Sequence, residues 1–556
     1  MKKHLKILLT VILFFIYSDV SFGIKLNDNK NDKIANQTNI FMKHCYDAGL
    51  FNGCVLVSKD NEILYKEALG YADIFNQIPL SIDSKYDIGS LTKSFTAASI
   101  MILEEKGKLS YDDKLSSYFQ EFPDYANKIT IHHLLCHQSG ISDYSNDLAM
   151  RWKELSEEII INRLVKEELM FEPGTNSRYS NSGYFLLARI IEKVSGMSYR
   201  EFIEQYIFEP LKMKNSTVLD NEHAIIKGKA VGRNFTLPDE KTNYITGPGG
   251  IYTTVGDLYK WHQALFESEI LSQHSIDRAT TPSLLSDGNE TREGYGWHIN
   301  YKNDIKLIAH GGASPDGYIS YLVQPASGQY SIILLTNFFR SQNFGIVLNG
   351  LTSIINGSEF KEIKTPAMYK LNKYIIEKGI KNIDLVFKQY NTDTLSYTPF
   401  DELEFIKLSS FYKNRNRFNE AVAILNIYRV EFPESLIPLE ELAEIYKLAG
   451  TQNLLKRNKK GLEDLVAKLS KRESIEFHLV NPSTEDYQMS LNVRFGHGSK
   501  YESISLIKSG EAYTVVGRSM NGKWLKLKRE GWVYYRTGRI SKDQFNSLPF
   551  MRFEEK

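Results

Sequence analysis

The chain has 556 residues, 42% hydrophobic and 24% charged, a globular composition on a chain too long for a single core; roughly two to four domains are expected. Lys and Arg number 68 against 67 Asp and Glu, which excludes a general electrostatic pull towards nucleic acid. The cysteines, Cys45, Cys54 and Cys136, exclude a disulfide framework and leave buried free thiols or a single Cys45–Cys54 bridge.

Residues 1–23 read as a secretory signal peptide. Lys2, Lys3 and Lys6 precede the apolar run ILLTVILFFIY, and Ser21-Phe22-Gly23 places small residues at the outer positions of a cleavage site. The run is short for a membrane span; an uncleaved amino-terminal anchor is the second reading. The expected location is therefore periplasmic or secreted.

Residues 38–358 carry the patterning of one α+β domain. CVLVSKDNEILYKEALGYAD reads as two strands joined by a turn at Lys59-Asp60-Asn61-Glu62. A helix follows Ser90, with Phe95, Ala98, Met101 and Ile102 at helical spacing, and ends near Gly107. A second helix is predicted over GYFLLARIIEKVSG, with Tyr184, Leu187, Ile190, Ile191 and Val194 on one side. It is capped by Tyr179-Ser180-Asn181-Ser182. IKLIAH, YISYLVQ and YSIILLTN read as three further strands, and FGIVLNGLTSII as the closing helix.

Within this domain three short segments carry chemistry. In DIGSLTKSF, Ser90 and Lys93 are three residues apart and share a helical face. A serine hydroxyl needs a base before it attacks a carbonyl, and a lysine serves as that base only where desolvation lowers its pKa. Tyr179 and Asn181 stand at the mouth of the next strong helix; a tyrosine among cations can share the proton, and an amide can bridge nucleophile, lysine and substrate. The tripeptide recurs at Tyr144-Ser145-Asn146, in a loop that opens no comparable helix, so Tyr179 is preferred. In His310-Gly311-Gly312-Ala313 the glycines weaken a strand and admit close approach of a ligand. There the Ala313 and Ser90 N–H groups would form an oxyanion hole, with His310 as proton donor or mobile positive charge. His132, His133, Cys136 and His137 lack a carboxylate or fourth-ligand pattern, so no metal site is read from them. Asp257 and Asp316 are read as cap and turn residues.

Taken in order, Ser90-x-x-Lys93, Tyr179-x-Asn181 and His310-Gly311-Gly312 resemble the three motifs of serine β-lactamase-like hydrolases, the group of class C β-lactamases, D,D-carboxypeptidases, D-aminopeptidases and related esterases. ITIHHLLCHQSGI, FEPGTNSRYSNSGYFLLARIIEKVSG, GPGGIYTTVGDLYKW and GYGW also look like that family, over about residues 40–355. The resemblance implies a β-lactamase/transpeptidase-like fold, an antiparallel sheet with a helical cluster. It also implies Ser90 as the acylated nucleophile, Lys93 as general base, Tyr179 as partner base and Asn181 as substrate orienter, with no cofactor or metal. His310 stands where many members carry lysine and Gly311 where many carry a hydroxyl residue. Both departures turn the expectation from penicillin or a free D-Ala carboxylate towards amide, ester or amino-terminal D-residue substrates.

Residues 359–470 are nearly free of strand signals. Leu408, Phe411, Tyr412 and Lys413 recur as Leu442, Ile445, Tyr446 and Lys447 at an offset of 34, the period of tetratricopeptide helix pairs, with Ala421 and Pro433 where a small residue and a terminator belong. Two copies are fewer than a solenoid needs, so this segment leans on a neighbour; it is a candidate site for a protein partner. Residues 480–550 return to short strands with frequent turns, which predicts a small barrel. It holds eleven Lys and Arg against three Glu between Leu491 and Lys542. It resembles bacterial SH3-like domains, which implies cell-wall binding; a packing module for the helices is the other reading. Trp524 and Trp532 beside Lys526, Lys528 and Arg529 do not make a nucleic-acid site in an exported chain. The whole reads as an exported serine hydrolase acting on a small peptide, amide or ester, against two alternatives: a binding protein that kept the fold without turnover, or a scaffold.

Overall fold

The computed structural model describes residues 30–469 except 75, 147–154, 221–224, 233–244, 303, 315–316, 338–340, 361–363, 394–395, 399, 401 and 434, and then the backbone of short strands between 477 and 551. The signal-peptide segment, Asp316 and much of 480–550 lie outside the described residues.

One six-stranded antiparallel sheet organises the amino-terminal domain. Helix α1 (Lys30–Asp47) precedes β1 (Gly53–Lys59) and β2 (Glu62–Leu69). The sheet is completed far along the chain by β3 (His298–Lys302), β4 (Ile305–Ala313), β5 (Ile319–Pro325) and β6 (Tyr330–Thr336). The strand order is β2-β1-β6-β5-β4-β3. The apolar run of β1 is continuous because both faces are covered. Cys54 and Leu56 face the helical cluster with Ile333 and Leu335. Val55 and Val57 face the other way, with Ile332 and Leu334, onto Phe41 and Met42 of α1 and Val347 and Leu351 of the closing helix α4 (Ser341–Ile355). Each such side chain, fully buried, contributes about 1.5–3 kcal/mol. The same alternation separates Cys45 from Cys54, which lie in different cores. Both are free, and burial pushes each thiol up to about 12, inert at neutral pH.

Two helices carry the site. The sequence predicts one apolar face for α2 (Thr92–Glu105), but every residue from Thr92 to Leu103 is buried, as expected of a helix through the middle of a domain. Two of its hydroxyls are satisfied locally, Ser94 donating to the Leu91 carbonyl and Ser99 to that of Phe95, and Thr96 reaches the distant Gly247 carbonyl. Helix α3 (Asn181–Ser195) begins where predicted, with the Ser180 hydroxyl accepting from the Gly183 N–H, and ends at Gly196 in the left-handed conformation. The sequence reading missed β3, a short strand half-exposed along its length.

The segment after 359 holds three helical hairpins, one more than the internal echo indicates: Ala367–Lys378 with Ile383–Thr392, Glu402–Lys413 with Phe418–Glu431, and Ile437–Leu448 with Gln452–Leu469. The echoed Leu408, Phe411, Tyr412, Leu442 and Ile445, with Ala421, form its own core. The first hairpin meets the amino-terminal domain, the Tyr369 ring packing over Gly49 after α1. Strands Phe477–Val480, Leu491–Arg494, Ser503–Ile507, Ala512–Ser519, Trp524–Leu527, Trp532–Tyr534 and Phe550–Met551 pair into one further sheet.

Candidate active site

Ser90 sits in a single 3₁₀ turn, Gly89–Leu91, immediately before α2 rather than within it. Gly89 has φ +49° and donates its N–H to Asp87 Oδ1 at 2.8 Å; most side chains avoid that backbone region. A Cβ on Gly89 would lie 2.9 Å from the Ala313 nitrogen, so the Ser90 turn and the end of β4 touch through backbone. Gly312 is required for the same reason, because a Cβ there would overlap the Ile88 carbonyl oxygen. The Ser320 hydroxyl of β5 donates to that carbonyl at 2.7 Å. This corrects the reading of His310-Gly311-Gly312: what approaches Gly312 is the backbone leading into the Ser90 turn. The open part of this strand is its other edge. β3 starts with His298 opposite Ala309, so His310–Ala313 run past its end.

Lys93 is fully buried. Its Nζ lies 2.8 Å from Asn181 Oδ1, 3.1 Å from the Pro248 carbonyl oxygen and 3.1 Å from Ser90 Oγ. Desolvation lowers its pKa to about 7, and the Asp143 carboxylate opposes that shift. The neighbours are two obligate acceptors and one hydroxyl. A neutral amine has two N–H donors and one lone pair; the donors suit Asn181 and Pro248, which turns the lone pair to Ser90.

Tyr179 completes the other side, its ring centroid 4.7 Å from Lys93 Nζ. Burial raises its pKa, an effect that its interaction with Ser90 only partly offsets, so it stays a phenol at neutral pH. Asn181 is held by residues the sequence reading passed over. Asp143 Oδ2 accepts from the Asn181 backbone N–H at 2.9 Å and from its side-chain amide at 3.3 Å, and Ser145 Oγ accepts from that amide at 3.0 Å. With Nδ2 so engaged, Oδ1 points to Lys93. Ser145 belongs to the second Tyr-Ser-Asn, where Tyr144 is a core residue; Asp143 is the aspartate of GISD.

The structure overturns the expected role of His310. The ring is buried; Nδ1 lies 2.7 Å from the Gly311 carbonyl oxygen, which can only accept, so the proton is on Nδ1. Among the described residues, Nε2 has no hydrogen-bond partner. Burial first, then His298 and Lys93, hold its pKa well below the usual imidazole range. It is a neutral acceptor, neither proton donor nor positive charge. His298 stacks on it with centroids 4.7 Å apart and 23° between planes, and His298 Nδ1 lies 2.9 Å from Glu293 Oε2. His137 lies behind Tyr179 at 4.5 Å and accepts the Ser180 N–H at 3.1 Å. Of the other histidines in that segment, His132 bonds to the Tyr295 hydroxyl at 2.7 Å and His133 closes a capping box with Thr130. Asp257, read as a cap residue, is not one: Thr254 caps that helix by accepting the Asp257 N–H, and the Asp257 carboxylate accepts from the Asn215 N–H, the Ser216 hydroxyl and Lys260.

Thus Ser90, Lys93, Tyr179, Asn181 and the His310–Ala313 strand end, spread over more than two hundred positions, meet at one place, joined by Asp143, Ser145, Pro248, His298 and Glu293. The family described as Beta-lactamase matches residues 42–352. Penicillin-binding protein 4* of Bacillus subtilis (strain 168) is 34% identical over 343 residues, 57% of this chain and 75% of that protein. The octameric penicillin-binding protein homologue from Pyrococcus abyssi superposes with a TM-score of 0.51 at 26% identity, over 61% of this chain and 80% of that one. D-amino acid amidase from Ochrobactrum anthropi SV3 shares the fold, with a TM-score of 0.51 at 24% identity over 58% of this chain and 99% of the other. The chain belongs to the Beta-lactamase family of serine hydrolases.

Proposed function

We propose that the protein is an exported hydrolase that forms an acyl-enzyme on Ser90 and acts on D-amino-acid amides or peptides related to cell-wall fragments, and on simple esters. The carrying observation is the environment of Lys93: a buried amine whose pKa is lowered to about 7 and whose two acceptor contacts leave its lone pair to the Ser90 hydroxyl. Lys93 takes the Ser90 proton as Oγ adds to the carbonyl carbon, and the oxyanion is held by the N–H groups of Ser90 and Ala313. The Tyr179 phenol passes a proton to the leaving amine or alkoxide as the C–N or C–O bond breaks and takes one back through Lys93. Water then adds to the ester carbon, gives its proton to Lys93, and the acid leaves as Ser90 is reprotonated. Asn181 orients both the lysine and the substrate amide. No step calls for a cofactor.

The substrate class follows from the neutral His310 and from Gly311, which offers no hydroxyl to a carboxylate. Export rests on the signal-like residues 1–23, and among the described residues no helix is long and apolar enough to cross a membrane. The tetratricopeptide-like hairpins would dock a protein partner, and the basic SH3-like barrel proposed for 480–550 would hold the enzyme near the wall. A fluorophosphonate probe followed by intact-mass measurement tests the mechanism: one adduct is expected on the wild type and none on Ser90→Ala. An adduct that survives Ser90→Ala overturns it.

A further inference from the structure

The 3₁₀ turn that carries Ser90 has an apolar residue at its cap position. Ile88 offers no side-chain acceptor there, although the first N–H groups of a helical turn need one. Asp87, one residue earlier in DIGSLTKSF, supplies it: Oδ1 accepts the Gly89 N–H at 2.8 Å. The Ser314 hydroxyl donates to the same carboxyl group, and Ser314 is buried directly after the end of β4.

Where those two bonds end in the chain is the telling point. Gly89 precedes Ser90 and Ser314 follows Ala313, so one carboxyl group is bonded to the neighbour of each N–H donor assigned above to the oxyanion. It spans the turn and the strand end where they already touch, a Cβ on Gly89 falling 2.9 Å from the Ala313 nitrogen. Both sides of the clamp are anchored. Asp87 pairs through its backbone with Tyr252, and the Ile88 N–H donates to the Ile251 carbonyl at 3.0 Å. Beyond Ala313, the Ser314 N–H donates to the Tyr318 carbonyl at 3.0 Å and closes the turn into β5. Burial raises the pKa of the carboxyl group, and the Gly89 N–H, the Ser314 hydroxyl and the Lys229 ammonium oppose that rise. Lys229 lies over the rings of Tyr252 and Tyr318, 5.2 and 5.9 Å from their centroids.

We propose that Asp87 sets the spacing of the oxyanion donors: by holding Gly89 and Ser314 on one carboxyl group, it keeps the Ser90 and Ala313 N–H groups converged on one oxygen. Asp87 acts through those backbone groups and is a positioning residue. The inference rests on the acyl-transfer reading given above and adds to it the part that fixes the geometry of the transition state. Two donors stabilise a developing oxyanion only when both are aimed at it before the reaction begins. The role needs an acceptor for Gly89 and a partner for Ser314, and asparagine offers both, its carbonyl oxygen to the N–H and its amide to the hydroxyl oxygen.

The test uses full-length protein, with active sites counted by fluorophosphonate labelling, and two readouts: kcat/KM for p-nitrophenyl acetate and inhibition by phenylboronic acid. The Ser90 hydroxyl adds to the trigonal boron as its proton leaves to Lys93, giving a tetrahedral anion with one oxygen where the oxyanion would lie. Per labelled site, Asp87→Ala is expected to lower kcat/KM about a hundredfold and to weaken the boronic acid by about the same factor. Asp87→Asn is expected to stay within about threefold of the wild type in both. A merely structural role would reduce the number of labelled sites and leave the inhibition constant of the remainder unmoved, and that result overturns the proposal. So do a fall in kcat/KM without weaker inhibition, and an Asp87→Asn protein as impaired as Asp87→Ala. If Asp87→Ala does not fold, Ser314→Ala decides: about a tenfold change in both readouts is expected, and unchanged values overturn the proposal. A wild type that takes no fluorophosphonate adduct defeats the hydrolase reading and this one together, whereas a reactive wild type matched by Asp87→Ala defeats this one alone.

Discussion

Lys93 shows how burial can fit an ordinary side chain for the role of base proposed for it. Because its pKa is lowered to about 7, ester hydrolysis is expected to rise with pH through that value, as the ammonium form, which cannot accept the Ser90 proton, gives way to the amine. The sign for stability follows from the same shift. Between pH 7 and the ordinary 10.5 the unfolded chain binds more protons than the folded one, so stability climbs with pH across that window and the full cost is present below it. Lys93→Met is therefore expected to abolish turnover yet raise stability at pH 6 by about 2 kcal/mol, with a smaller gain at pH 9; thermal melts at both values check this. Asp143 works in the opposite direction on Lys93. Asp143→Asn should move the acid limb of the pH–rate profile to lower pH and reduce kcat about tenfold as Asn181 loses its anchor. A variant that lost activity with the limb unmoved would leave Asp143 a merely structural role.

At the level of elements, the decisive feature is the backbone contact between the Ser90 turn and β4. It depends on Gly312, over which the Ile88 carbonyl lies, and on the Ser320 hydroxyl bonded to that carbonyl. Gly312→Ala is expected to push the turn off the strand, costing about 2–3 kcal/mol of stability and abolishing the Ser90 adduct, since Ser90 and the Ala313 N–H proposed to hold the oxyanion would separate. Denaturant titration and probe labelling give the two readouts. Ser320→Ala removes only one hydrogen bond and should cost about 1 kcal/mol. Helix and strand existence were legible from periodicity in α2, α3, β1 and β4–β6. The exceptions were α1, whose first turns are polar and Asn- and Lys-rich, and β3, half-exposed and without an apolar run. The hairpin before Glu402 was also missed, because only the later two share residues recognisable as an echo.

Across the whole molecule, the catalytic domain and the helical hairpins bury separate cores. They touch where Tyr369 covers Gly49. A chain ending at residue 358 is therefore expected to retain hydrolysis of a chromogenic ester within about twofold of the full protein, with a melting temperature a few degrees lower from the uncovered end of α1. Loss of all activity on truncation would show that the hairpins support the site.

Local information settled much of the fold without coordinates, including the strand pair at 54–69 and the capped helix after Ser180, and it put forward Ser90, Lys93, Tyr179 and Asn181, whose residue types and order carry their own chemistry. Tertiary structure decided what depends on neighbours distant in the chain. The charge of His310 is such a property, since it reflects burial together with His298 and Lys93. The orientation of Asn181 is another, fixed by Asp143 and Ser145 some 36–38 residues earlier. Desolvation and partner geometry are properties of the assembled site, and no one-dimensional pattern records which lone pair a buried nitrogen is left holding.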